Sequence, residues 1–179
     1  MFKEFPNKKY KIIYADCPWR YNDKLALQKE GASQHYPTLS IEELKNLNVG
    51  SIADKDCILF TWVTMPMLRE GLALIEAWGF SYRTCGFCWI KTNPKANTIF
   101  KGIGRWVMGN AELCLLSVKG KPHRISMAIP QVVMSPRGKH SVKPDEVRKR
   151  IVQLMGDIPR IELFARQKTE GWDAWGDEI

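Results

Sequence analysis

Residues 11–23 read KIIYADCPWRYND. Ile12, Ile13, Tyr14 and Ala15 form an unbroken apolar run of strand length, the pattern of a strand covered on both faces. The run stops at a carboxylate, Asp16, and Cys17, Pro18 and Trp19 follow. A proline holds the residue before it in extended geometry, so the chain leaves the strand in a defined direction. It carries with it an acid, an aimed Cys17 carbonyl and a large flat ring. In open α/β sheets ligands bind beyond the carboxyl ends of strands, and this segment predicts a site at such an end.

The surrounding segments alternate between strand and helix patterns. CILFTWV (57–63), YRTCGFCWIK (82–91), ELCLLSV (112–118) and RIELFA (160–165) read as strands. Ser40 opens a helix, because SIEEL places Glu43 where a capping box needs it. Residues 65–79, MPMLREGLALIEAWG, read as a helix with Pro66 in its first turn and Gly79 as its stop. KPDEVRKRIVQLM (143–155) reads as another, with Pro144 in the first turn. Residues 20–37 read as a loop. The expected fold is α/β, a mostly parallel sheet with helices on both faces. Asp16-Cys17-Pro18-Trp19 and Phe164-Ala165-Arg166 each follow a strand end, so the two segments are expected to share one crevice.

The 179 residues suit a single domain spanning 1–179. No apolar run reaches the roughly 20 residues that span a bilayer. The opening MFKEFPNKKYK lacks an apolar signal core, so a cytoplasmic protein is expected. Five cysteines, an odd number, argue against a disulfide framework. Cys85 and Cys88 have CxxC spacing but lie within a strand pattern, without a second ligand pair, and read as strand residues. His35 and His140 read as loop residues, and no metal site is expected. Trp62, Trp78 and Trp89 stand at core spacing. Gly102-x-Gly104 alone makes no phosphate loop.

Net charge is +8, and its distribution is uneven. From Lys91 to Arg150 thirteen Lys or Arg stand against three acids, Glu112, Asp145 and Glu146. Such a field is the electrostatic footprint of a polyanion binder. The stretches 20–37, 92–109 and 134–143 are the expected substrate loops, and Arg137, Lys139 and His140 the expected substrate contacts.

Taken alone, an Asp-x-Pro-Trp strand end reads either as a turn with a core tryptophan or as a site suited to one chemistry. The exocyclic amino nitrogen of adenine is a poor nucleophile, because its lone pair is delocalised into the ring. A carboxylate accepting one N–H and a carbonyl accepting the other would hold that nitrogen more nearly tetrahedral and aim its lone pair at an electrophilic methyl. Trp19 would stack the base, which must leave its own stack to arrive.

ADCPW, HYPTLS, LFTWVT, WIKTN, SVKPDE, IELFAR and GWDAWGDE occur in this order. Together they resemble the N6-adenine methyltransferases related to the catalytic subunit of the eukaryotic mRNA N6-adenosine methyltransferase, from about Tyr10 to the C-terminus. Compact bacterial and phage members are especially similar. The resemblance implies a Rossmann-like methyltransferase fold with circularly permuted motif order, the catalytic segment preceding the cofactor segment. It implies S-adenosyl-L-methionine as cofactor and nucleic acid as substrate, DNA favoured over RNA. It assigns Asp16, Cys17, Pro18 and Trp19 to catalysis. Asp16, Lys143, Glu162, Phe164, Arg166, Asp177 and Glu178 fall on the cofactor side. Trp19, Tyr36 and Lys143 fall at the substrate. It also implies pairing with a second copy or a paralogue through the 92–109 loop.

Three departures from the family pattern stand out. Cys17 replaces the first proline of the motif, keeping the carbonyl but losing its φ lock. Ala165 stands where relatives carry glycine. Asp177 and Glu178 are acids where relatives often have an amide. Two rival readings are a non-catalytic nucleic-acid-binding subunit and an enzyme acting on another planar amide or amine. Asp16 argues against the first and the basic loops against the second.

Overall fold

Tyr14 of the opening stretch lies at the centre of a sheet. The computed structural model describes residues 4–20, 38–104, 106–138, 142–177 and 179. Its strands are β1 (Tyr10–Ala15), β2 (Ala53–Val63), β3 (Ser81–Asn93), β4 (Ala96–Ile99), β5 (Ala111–Lys119), β6 (Val132–Pro136), β7 (Arg160–Leu163) and β8 (Asp173–Trp175). They form one sheet in the order β4-β3-β5-β2-β1-β7-β8, with β6 paired to β3. The α-helices among the described residues are α1 (Ile41–Lys45), α2 (Leu68–Ala77) and α3 (Asp145–Met155).

The sheet is mixed. β1 pairs parallel with β2 and β7, β7 with β8, and β3 with β6. β5 runs antiparallel to both β2 and β3, and β4 antiparallel to β3. Strand alternation feeds two cores. Ile13 and Ala15 of β1 join Leu44 of α1 and Leu74 and Ile75 of α2 on one face. Ile12 and Tyr14 join Val147, Ile151 and Met155 of α3 on the other. Helices therefore cover both faces, and Trp62, Trp78 and Trp89 are buried as their spacing predicts.

Local chemistry explains the element ends. The Ser40 hydroxyl accepts from the Glu43 backbone N–H at 3.2 Å, and the Glu43 carboxylate accepts from the Ser40 N–H at 2.7 Å, completing the capping box of α1. The helix expected over 65–79 is divided: Met65–Met67, with Pro66 inside, is a 3₁₀ turn, and the α-helix begins at Leu68. Gly79 at φ +82° ends the segment in a conformation glycine adopts freely. Pro144 is extended and caps α3 instead of lying in its first turn. The last strand pattern stops at Leu163, because Phe164 turns to φ +59°. A side chain bulkier than glycine in that region is held there at a cost of order 1–3 kcal/mol.

Candidate active site

Strand register brings the chemically loaded ends to one edge of the sheet. Ala15 lies beside Thr61 on one side and Leu163 on the other, and Leu163 lies beside Trp175. Asp16, Phe164 and Gly176 therefore leave neighbouring parallel strands at one level. Because β5 is antiparallel, its beginning reaches the same edge: Leu113 pairs with Val63 and Ala111 with Ile90. Thr92 pairs with Pro136, which brings Arg137 there as well.

Asp16 continues the face of Ile12 and Tyr14, the side that α3 covers. Lys143, just before α3, reaches over to it. The Lys143 ammonium lies 2.8 Å from Asp16 Oδ1, 2.9 Å from Oδ2 and 3.4 Å from Glu112 Oε2. Lys91 closes on the other Glu112 oxygen at 2.5 Å. The result is an alternating row, Asp16, Lys143, Glu112, Lys91, lying on aromatic rings. Lys143 stands 5.7 Å above the Trp62 ring and Lys91 5.1 Å above that of Trp89. The two rings meet edge to face at 6.3 Å. The Trp62 indole N–H is satisfied by the Tyr14 hydroxyl at 2.6 Å.

Each charge in the row holds the next. Burial alone would lower the Lys143 ammonium, but Asp16 and Glu112 raise it above the ordinary lysine value, so it stays cationic. Burial alone would raise the Glu112 carboxyl, but Lys143 and Lys91 bring it below its ordinary value. Burial, aided by the Asp16 charge, pushes the Cys17 thiol well up, so the sulfur is neutral and no nucleophile. The Cys17 carbonyl accepts the Trp19 N–H at 2.9 Å, a tight turn that leaves one of its two lone pairs for another donor.

The remaining expected residues separate into groups. Trp19 is 6% exposed and belongs to the core, so its ring is a supporting wall and not an open stacking platform in this structure. Glu162 gives both carboxylate oxygens to Arg148, at 2.6 and 2.7 Å. Phe164 packs edge to face on Trp175 at 5.4 Å. Arg166 is half-buried and Asp177 exposed, both past strand ends at the shared edge. Arg137 is exposed and lays its guanidinium 4.1 Å over the Phe100 ring. Beside it an open pocket of about 350 Å³ is lined by Thr92, Asn93, Lys95 and Met134. Tyr36, Lys139, His140 and Glu178 lie outside the described residues.

Glu112 and Lys91 were not expected at the site. Glu112 carried a signal all the same: it is the only acid between Lys91 and Lys143. The basic span also divides in a way that counting charges does not reveal. Lys91, Lys143 and Arg148 are paired with acids inside the fold, and Arg150 with Glu146 on the surface of α3. Lys119 ends β5 and Lys121 and Arg124 follow it, at the opposite edge of the sheet. Lys95, Lys101 and Arg137 remain near the site.

A carboxylate and a carbonyl at the end of a central strand, with the buried Lys143 ammonium beside them, are acceptors suited to a ligand that donates N–H groups. The chain matches the MT-A70 family over residues 10–178 and belongs to that family. It is 39% identical over 199 aligned residues to the Type II methyltransferase M.MunI of a Mycoplasma species, covering all of this chain and 82% of that protein. It is 30% identical over 175 residues to the human N(6)-adenosine-methyltransferase catalytic subunit METTL3, covering 96% of this chain and 28% of that one. An Arabidopsis thaliana N(6)-adenosine-methyltransferase MT-A70-like protein is 30% identical over 171 residues, with 94% and 23% covered. The chain thus spans about a quarter of these eukaryotic relatives.

Proposed function

We propose that this chain is an S-adenosyl-L-methionine-dependent methyltransferase acting on the N6 amino group of adenine in nucleic acid. One observation carries the reading: the Asp16 carboxylate, at the end of a central strand, is already engaged by N–H donors of a buried ammonium. An exocyclic amino group presents the same kind of donor. Asp16 accepts one of its hydrogens, and the free lone pair of the Cys17 carbonyl accepts the other. Membership of the MT-A70 family supports the reaction and the cofactor. The non-catalytic reading is the weaker one, because Asp16 is retained.

S-adenosyl-L-methionine supplies an electrophilic methyl group at its sulfonium. The residues present fit such a molecule. Lys143 is a buried cation suited to a carboxylate, and Asp177 is an exposed acid suited to hydroxyl donors. The assignments of Phe164, Arg166 and Glu178 to the cofactor belong to this reading. So do those of Tyr36, Lys139 and His140 to the substrate. Glu162 enters it only by holding Arg148 beneath the site.

DNA is favoured over RNA, because similarity to the Type II methyltransferase is higher and runs the whole chain, whereas the more distant relatives are named for adenosine. We read the catalytic segment after β1 and the cofactor segment after β7 as a circular permutation of a mostly parallel methyltransferase sheet in a single domain. Pairing through residues 92–109 with a second copy or a paralogue, and a cytoplasmic location, complete the reading. No helix among the described residues is long and apolar enough to cross a membrane.

The test is nucleoside mass spectrometry after incubation with the cofactor and, separately, duplex DNA, single-stranded DNA and RNA. N6-methyladenine in one pool, absent with Asp16→Ala, is the expected result. Cofactor binding without product in any pool would remove the claim that this chain alone methylates adenine.

A further inference from the structure

Lys143 touches two carboxylates, and the one it holds more closely is the one the reaction needs. Its ammonium lies 2.8 and 2.9 Å from the two Asp16 oxygens and 3.4 Å from Glu112 Oε2. An ammonium and an exocyclic amino group offer the same thing to a carboxylate, N–H donors. Lys143 therefore holds both oxygens at which an incoming amino group would dock.

We propose that Lys143 and the target amino group exchange at Asp16, and that Glu112 is the positioning residue that receives Lys143 when the substrate arrives. The inference rests on the reading of Asp16 as the acceptor of an adenine amino group.

Three features of the row support the exchange. A buried cation cannot simply leave its counter-ion, because an unpaired buried charge is strongly unfavourable. Glu112 removes that obstacle: it is buried, it begins the next strand but one in the sheet, and it already lies within ion-pair distance. Lys91 holds Glu112 Oε1, which leaves Oε2 directed at Lys143. The Trp62 ring lies beneath the Lys143 ammonium and attracts a cation whichever acid it favours. The movement needed is a short swing of one flexible side chain between neighbours, in which the ammonium keeps a carboxylate partner and Asp16 exchanges one N–H donor for another. This also gives a function to the only acid between Lys91 and Lys143.

The test compares binding of two single-stranded oligonucleotides of one sequence, with either adenine or purine at the target position. Purine has the ring but lacks the 6-amino group, so it does not compete with Lys143. Glu112→Gln keeps the shape of the side chain and removes its charge, leaving Lys143 more firmly on Asp16. The preference for adenine over purine is expected to fall about tenfold, with purine binding unchanged. Lys91→Met acts in the opposite sense. It frees Glu112 to hold Lys143 more strongly, and the adenine preference is expected to rise. Equal loss of affinity for both oligonucleotides in Glu112→Gln, or an unchanged preference, would overturn the exchange. If Glu112→Gln fails to fold, Lys91→Met decides alone, and a fall in preference overturns the proposal. Methylation by the unaltered protein is measured first. Its absence would remove the underlying reading, whereas its presence leaves the exchange to be judged by the variants.

Discussion

Arg148 and Glu162 meet in a two-point pair across the α3 face of the sheet, Nε to Oε2 at 2.7 Å and Nη2 to Oε1 at 2.6 Å, with both side chains almost fully buried. The same guanidinium lies 5.4 Å over the Tyr14 ring and donates to Asp145 at 2.7 Å. One residue thus ties the first turn of α3 to β1 and β7. Glu162→Leu leaves a buried cation without its main partner and is expected to cost about 3–5 kcal/mol of stability in denaturant unfolding. Glu162→Leu combined with Arg148→Met should recover most of the loss. A single variant as stable as the parent would show that the pair does not bind α3 to the sheet.

Asp16 is the reacting carboxylate in the proposed function. Asp16→Asn keeps the shape and one acceptor, and kcat is expected to fall by about 10²–10³, while cofactor affinity measured by calorimetry stays close to that of the parent. An undiminished kcat would remove Asp16 from the chemistry.

Arg137 rests on Phe100 with its guanidinium face covered and its edge open to solvent. Arg137→Glu is expected to weaken nucleic-acid binding and to make the dependence of log Kd on log salt shallower by about one unit. An unchanged slope would mean that the side chain holds no phosphate.

Glu112 sets an acid limit on stability. Its folded carboxyl lies below the ordinary value of 4.5, so its contribution is complete above that pH and is lost as pH falls through the depressed value. Asp173 behaves alike: hydrogen bonds from Lys8 and then Tyr10 lower it, although its exposure reduces the effect. Lys143 is raised, so its contribution persists through neutrality and is lost only in strong alkali. Melting temperature should be flat around neutrality and fall below about pH 4. Glu112→Gln should flatten that acid limb, and a limb identical to the parent's would contradict the assignment.

Gly71 packs where a side chain has no room. A Cβ there would lie 2.4 Å from a methyl of Val63, a stiff β-branched residue. Alanine favours a helix over glycine by about 1 kcal/mol. Even so, Gly71→Ala is expected to destabilise, by about 1–3 kcal/mol, because overpacking outweighs propensity. A rise in melting temperature would show that α2 can shift away from the sheet.

What the sequence makes legible follows the range of the forces involved. The Ser40 capping box and the β1 run are local, and they stand in the structure as their residues predict. β4, β6 and β8 are 4, 5 and 3 residues long, and they exist because β3 and β7 offer them edges. No pattern within such short segments announces that. The reversed direction of β5 is set by its connections, and ELCLLSV reads the same either way. Asp16 and Lys143 were found through motifs at each end of the chain. Glu112 stands out in the sequence as a lone acid between Lys91 and Lys143, but its place beside Asp16 comes from a pairing across 31 residues of sequence, visible once the sheet is formed.

The traffic of the chain across the sheet also makes the molecule easy to handle. Strand ends bearing Asp16, Phe164, Gly176 and Arg137 all emerge at one rim, whereas residues 120–131 join β5 to β6 at the other. A fluorophore, an affinity handle or a whole inserted domain placed in that connection would sit a full strand length from Asp16. The enzyme could then be anchored to a surface or fused to a targeting module with its reactive rim facing outward.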